Sequence, residues 1–400
     1  MPVLIGVFPR ALALVLPATD AVLGRSWFAQ HDLSDSELSN QHVKLSHVAG
    51  RYQIADAGSR NGTWLNGTRL TEEPAPFEDG AILRIGRAVF LYREQFSGTL
   101  KPAAPNDGLV GAYGLQGLAQ AVAAVAKHQV QNVLIEGETG VGKELVAHQV
   151  ARALRPGKPF AAVNVAGIAA GVFESQLFGH VAGAFSDART ASSGIIVAHQ
   201  GGTIFLDEIG ELSPETQAKL LRVLENREVL PVGASRALSV DVTIVAATNR
   251  DVEEMVEQGK FRRDLFARFA KARIHVPALR DRAEDLFGLA ASLSERDHCT
   301  LPVERVEVEA VERLLLHEWP NNVRELDAAL AAIRRVDPEP GLRHWAVEQV
   351  LGKAPVNRSA LTRSTIEAAL AASDGNLSAA AQRLGVSRGK LLRFRKRTIE

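Results

Sequence analysis

Gly137-Glu138-Thr139-Gly140-Val141-Gly142-Lys143-Glu144 follows the apolar run Val133-Leu134-Ile135. The run predicts a buried strand, and the G-x-x-x-x-G-K spacing after it predicts a phosphate-binding turn opening into a helix over about Glu144 to Leu154. Glycines at 137, 140 and 142 allow backbone conformations closed to other residues, so successive N–H groups can point inward at phosphate oxygens. Lys143 adds a point charge for the β and γ phosphates, and the helix turns its positive end toward the same anion. Glu144 stands where such loops carry a Ser or Thr, so a magnesium ion must rely on acids elsewhere.

Those acids come about sixty residues later. Thr203-Ile204-Phe205-Leu206 reads as a strand ending in Asp207-Glu208. Asp207 is expected to bind the magnesium, directly or through water, and Glu208 to act as general base on the attacking water. Ile244-Val245-Ala246-Ala247-Thr248-Asn249 is a further apolar strand with a polar end, suited to placing Thr248 or Asn249 near the γ-phosphate.

The stretch 108–336 resembles the AAA+ ATPase domain of bacterial enhancer-binding proteins, the sigma-54-dependent transcription activators. GETGVGKELVA, QLFGHVAGAFSDA, GGTIFLDEIGEL, QAKLLRVLE, VAATNRD, FRRDLFARF, PALRDRAEDL and WPNNVREL carry the likeness in order. The resemblance implies ATP and Mg2+ as cofactors, a parallel α/β domain with a helical lid, and a ring of subunits, usually six. It makes Glu144 ordinary, Asn164 a switch that holds Glu208, Arg262 and Arg268 fingers given to a neighbouring subunit, and Arg324 a second sensor on the lid. Relatives carry GAFTGA in the loop that contacts sigma-54; here it reads Gly183-Ala184-Phe185-Ser186-Asp187-Ala188, with Asp187 the real change. Asn321 stands for a lid glycine and is expected to take the left-handed conformation.

Short β-type runs before residue 98 (Val3 to Phe8, Tyr52 to Ile54, Ala88 to Tyr92) suggest an all-β sandwich. Gly24-Arg25, Ser39-Asn40-Gln41-His42 and Asp56 to Gly67 resemble the signature blocks of the forkhead-associated (FHA) domain, a phosphothreonine reader. Arg25, Ser39 and Asn40 suit the phosphate and Asn61 the peptide backbone. His42, Gly24 and Gly62 read as structural.

Residues 357–400 carry nine basic residues against three acidic ones, in a chain of zero net charge. Such an excess marks a phosphate-backbone binder. GNLSAAAQRLGVSRGKL resembles the Fis-type helix-turn-helix, with Arg388 and Lys390 placed for base edges and Arg393, Arg395 and Lys396 for phosphates.

The partition is therefore 1–97 FHA, 98–107 linker, 108–336 ATPase with lid, 337–356 linker and 357–400 helix-turn-helix. Pro102, Pro105, Pro338, Pro340 and Pro355 mark the linkers. Cys299 is the sole cysteine of 400 residues, which excludes an internal disulfide and fits a reducing cytoplasm. The apolar stretch Ala11 to Leu16 is too short to span a bilayer.

The combined reading is an ATP-driven activator whose partners are enhancer DNA, sigma-54 polymerase, further copies of itself and a phosphothreonine protein from a Ser/Thr kinase pathway. The competing reading, supported by Asp187, is a phosphopeptide-responsive DNA-binding repressor or adaptor whose ATPase does not act on sigma-54.

Overall fold

The computed structural model describes residues 1–353 apart from 107, 186 and 187, together with 369–373, 376, 377, 379 and 380. The chain divides into two compact units, one of residues 1–4, 15–96 and 351–400, the other of 5–14 and 97–350.

In the first unit, short strands bounded by turns build the sheets. Ala21–Leu23, Val43–Val48, Arg51–Asp56 and Ala75–Pro76 pair antiparallel in that order. Ala88–Arg93, Ile82–Ile85, Thr63–Leu65 and Thr68–Arg69 form a second antiparallel set. Val43 and Leu45 are buried while Lys44 between them is exposed, the alternation of a strand with one face inward. Phe77 stacks on Tyr92 with centroids 4.2 Å apart inside this unit.

The second unit is built on a five-stranded parallel sheet. Its order is Phe160–Asn164, Thr203–Asp207, Thr243–Thr248, Asn132–Glu136 and Arg273–His275. Every residue of Thr243–Thr248 is buried, as the continuous apolar run predicts for a strand covered on both faces. Alternate residues feed two cores. Val133, Ile135, Phe205 and Val245 pack with Val146 and Val150 of helix Lys143–Leu154. Leu134, Ile204, Leu206 and Ile244 pack with Leu220 and Val223 of helix Pro214–Asn226. That helix starts by the expected chemistry, with Ser213 Oγ accepting from Thr216 N and Pro214 at its first position.

Beyond the edge strand, helices Leu286–Arg296, Val308–Leu315 and Asn322–Val336 make the lid, and a further helix, His344–Leu351, stands within the stretch 337–356 that was expected to be a linker. Cys299 is a free thiol after the first of them. Among the described residues, no helix is long and apolar enough to cross a membrane.

Most of the helix-turn-helix, including its five basic candidates (Arg388, Lys390, Arg393, Arg395, Lys396), lies outside the described residues. Of its neighbourhood, Asn376 Oδ1 accepts from Ala379 N, a helix-capping bond.

Candidate nucleotide site and phosphopeptide pocket

The sheet order gathers the nucleotide residues. Thr243–Thr248 lies between the strand that ends in Asp207 and the strand that leads into Gly137, so three strand ends face one crevice. Gly140 and Gly142 sit at φ of +78° and +100°, where an L side chain is strained. Gly140 is doubly required, because a Cβ there would come within 2.3 Å of the Asn321 carbonyl oxygen.

Lys143 is 7% exposed and donates from Nζ to the carbonyls of Gly137 (3.2 Å) and Glu138 (3.4 Å). Its ammonium lies 3.7 Å from Glu208 Oε1. The other carboxylate oxygen of Glu208 accepts from Asn249 N at 3.3 Å, and Asn249 Nδ2 donates to Thr139 Oγ1 at 3.0 Å. Lys143, Glu208, Asn249 and Thr139 are thus joined in one polar chain. Asp207 Oδ1 accepts from Glu208 N at 3.1 Å, and Oδ2 has no hydrogen bond among the described residues. Glu144 is exposed in the first helical turn.

Some expected residues stand differently. Thr248 is fully buried, and its Oγ1 accepts from Arg250 N, so of the 248–249 pair only Asn249 reaches the loop with its side chain. Thr248 instead serves through its carbonyl, which accepts from Gly137 N at 3.2 Å. Asn164 pairs in register with Asp207, but its Oδ1 accepts from Ala166 N, and no hydrogen bond joins it to Glu208. Arg262 pairs with Asp264 at 2.7 Å and Arg268 pairs with Glu225. Among the described residues, neither has a hydrogen bond or ion pair with its own phosphate loop, Asp207 or Glu208.

The lid meets the loop closely. Val323 N donates to the Gly140 carbonyl at 2.9 Å, and a Cβ on Gly140 would lie 3.2 Å from Cβ of Arg324. Asn321 is not left-handed, at φ −104°; the left-handed residues are Trp319 and Asn322, at +50° and +55°. The expectation placed the feature one residue early, because Asn-Asn offers two equivalent candidates.

Sequence reading also missed what Asn322 does. It is fully buried, donates from Nδ2 to Glu138 Oε2 (3.2 Å) and the Thr139 carbonyl (3.0 Å), and accepts from Leu279 N at 2.8 Å. Arg280 grips Glu138 with bonds of 2.7 and 2.5 Å, which offsets a carboxylate inside an anion-binding loop. Asp285, also missed, is 3% exposed and accepts from Tyr113 N (3.0 Å) and Gly114 N (3.2 Å). Burial, with the nearby Glu284 charge, pushes its pKa up to about 6, despite those N–H groups and Arg282.

In the first unit, Arg25 is exposed and its guanidinium donates to the carbonyls of Leu38 (2.9 Å) and Ser36 (3.2 Å). Ser39 Oγ accepts from Arg60 N at 3.0 Å, which leaves its hydroxyl hydrogen to donate elsewhere. Asn61 Nδ2 donates to the Glu37 carbonyl at 2.8 Å, and Asn40 is exposed beside Ser39. These four residues come together at one end of the sandwich strands. His42 is fully buried; its Nδ1 accepts from Ser39 N, so its Nε2–H donates to the Gly62 carbonyl at 3.1 Å. Gly24 packs so tightly that a Cβ would fall 1.8 Å from the Asn40 carbonyl oxygen. Asp56 accepts from Ser59 N, Ser59 Oγ and Thr63 Oγ1; burial raises its pKa, but these bonds outweigh it and the net shift is down.

Phe185 is 43% exposed, and its ring lies 5.1 Å from that of His180. His180 holds the loop base through Ser175 Oγ (2.7 Å) and the Thr190 carbonyl (2.9 Å). Gly183 N donates to the Ala188 carbonyl at 2.8 Å, while Ser186 and Asp187 lie outside the described residues.

Fold and site together define a P-loop nucleotide-binding domain of the AAA+ class, preceded by a small β module. Family models match in three places: Sigma-54 interaction domain at residues 111–275, FHA domain at 21–86, and Bacterial regulatory protein, Fis family, at 362–393. The transcriptional regulatory protein ZraR of Escherichia coli K12 is 37% identical over 302 residues, 72% of this chain and 68% of that protein. Regulatory protein LuxO of Vibrio cholerae is 40% identical, over 66% of this chain and 56% of its own length. NtrX from Brucella abortus, solved in complex with ATP, matches with a TM-score of 0.55 at 27% identity, covering 72% of this chain and 69% of that one. The chain belongs to the sigma-54-dependent transcription regulators, the enhancer-binding protein family, with an N-terminal FHA domain and a C-terminal Fis-type helix-turn-helix. It spans little more than half the length of LuxO and 61% of an NtrC relative from Bradyrhizobium.

Proposed function

We propose that this protein is a cytoplasmic, ATP-driven transcription activator. It binds enhancer DNA through 357–400, reads a phosphothreonine partner through 1–97, and hydrolyses ATP in a ring to remodel sigma-54 polymerase through the loop at Phe185. The observation that carries the reading is the polar chain Lys143–Glu208–Asn249–Thr139 beneath a lid bonded to Gly140, with Arg262 and Arg268 turned to Asp264 and Glu225. To Lys143 in its own subunit, a neighbour's Arg262 and Arg268 would add the charge that clamps the transferring phosphoryl group in a ring.

In the reaction, loop N–H groups and Lys143 hold the β and γ phosphates. Asp207, whose Oδ2 has no hydrogen bond among the described residues, is the carboxylate that would hold Mg2+, an ion that commonly takes one or two carboxylates plus phosphate oxygens and waters. Bound there, magnesium would neutralise charge on the β and γ oxygens. Glu208 takes a proton from water as the water oxygen bonds to the γ-phosphorus; the bond to the β,γ-bridging oxygen breaks, giving ADP and phosphate. Asn249 joins loop and base, so it reports γ-phosphate to Glu208.

The deciding experiment is transcription from the native promoter with and without sigma-54. Phe185→Ala is expected to keep ATPase activity and lose open-complex formation, because it removes an output contact and no catalytic group. Asp187→Gly is expected to preserve or raise the output. Transcription indifferent to sigma-54 would leave the repressor or adaptor reading instead.

A further inference from the structure

Arg273 opens the edge strand Arg273–His275, and its guanidinium has neighbours from three separate segments. Nε and Nη2 each donate at 2.9 Å to the two oxygens of Glu136, the residue before Gly137. Nη1 donates to Glu253, in the first turn of the helix Val252–Glu257 that follows Asn249. Its central carbon lies 5.4 Å from the centroid of the Phe266 ring, in helix Arg263–Phe269. That helix carries Arg268 in its last turn and starts directly after Arg262.

A guanidinium gripped by a bidentate carboxylate has a fixed plane, and a second carboxylate on its remaining nitrogen fixes it further. Phe266 therefore packs against a rigid surface. The phosphate-loop strand, the helix after the sensor and the helix of Arg262 and Arg268 all meet at this one side chain. A plain surface ion pair would add little to stability and nothing to turnover.

We propose that Arg273 is a positioning residue that sets the Arg262–Arg268 helix against the phosphate-loop strand, holding the residues offered to the next subunit in register with their own subunit's nucleotide loop. The proposal rests on Arg262 and Arg268 acting across a subunit boundary.

Arg273→Met in the full chain keeps the stem and removes the three-way grip. Binding of a fluorescent ATP analogue is expected to stay at the wild-type level, while turnover falls about tenfold, part of the ~10³–10⁵ such fingers supply in related nucleotide hydrolases. Mixing with Glu208→Gln subunits is expected to restore turnover, because those subunits bring well-placed fingers to the intact sites of the variant. Arg262→Ala mixed with Glu208→Gln is the control. Recovery in the control without recovery for Arg273→Met overturns the proposal, as does an equal loss of nucleotide binding and turnover. Failure of the control locates the error in the trans reading, and the proposal falls with it. Arg273→Lys, which keeps the charge beside Glu136 but cannot hold three partners, gives the same readouts if Arg273→Met fails to assemble, with an intermediate loss expected.

Discussion

Lys143 and Glu208 touch each other, yet their losses should be told apart. Removing the ammonium takes away a charge that both ground state and transition state use, so Lys143→Ala is expected to lose nucleotide binding. Glu208→Gln keeps the size of the side chain and removes only its proton affinity, so ATP binding should persist while single-turnover hydrolysis slows by about 10²–10⁴. Equal binding defects in the two variants would remove Glu208 from the general-base role. Asp285 gives a pH signature of a different kind. Its folded pKa of about 6 lies above the ordinary carboxylate value of about 3.9. Between these pH values the folded chain keeps a proton that the unfolded chain releases, so stability falls as pH rises from about 4 to 6 and is level beyond. Melting temperatures across that range should show a shallower decline for Asp285→Asn than for the native chain, and parallel curves would sink the assignment. The positions of Lys143, Asp207 and Glu208 at the ends of strands facing one crevice were legible because strand, turn and acid pair lie within local windows. Asn322 and Asp285 were not, since their partners stand more than a hundred residues away, at Glu138 and Tyr113.

Three of the parallel strands, at 133–135, 203–206 and 244–248, announced themselves as unbroken apolar runs and the β module as short β-type ones, whereas the edge strand Arg273–His275, polar at both ends, carried no such signal. Tight turns were legible as well, though not their exact occupant, as Asn321 and Asn322 illustrate. The element that turns at Gly24 carries a sharp consequence. A methyl group there meets backbone at Asn40, which cannot step aside as a side-chain tip can. Gly24→Ala is therefore expected to destabilise the first unit by roughly 2–4 kcal/mol, read as an early unfolding transition, because overpacking against rigid backbone is costly. Arg25→Ala should leave that transition near its native position, since the side chain is exposed. It is expected to abolish the preference for a phosphothreonine peptide over its unphosphorylated form in calorimetric titration. Equal binding of both peptides by the native chain would leave the module as a protein-contact surface.

For the whole molecule, the proposed role of the self-paired Arg262 and Arg268 predicts the behaviour in solution. If each site is completed by a neighbour, ATPase activity per subunit must rise with protein concentration and level off when rings are full. Activity independent of concentration, measured down to where sedimentation shows monomers, would place the whole catalytic set in one chain. Asp264→Ala and Glu225→Ala each free a finger from its resting partner. They are expected to shift that rise to lower concentration without changing nucleotide affinity.

The bond from Val323 N to the Gly140 carbonyl fastens helix Asn322–Val336 to the phosphate loop at one end. Fifteen residues at ~1.5 Å each make an arm of about 22 Å, whereas its first turn is ~5.4 Å long. A shift of about 1 Å across that first turn therefore swings the far end by ~4 Å. If that fastening serves as a pivot during turnover, chemistry confined to a single phosphoryl group would gain the reach of a lever.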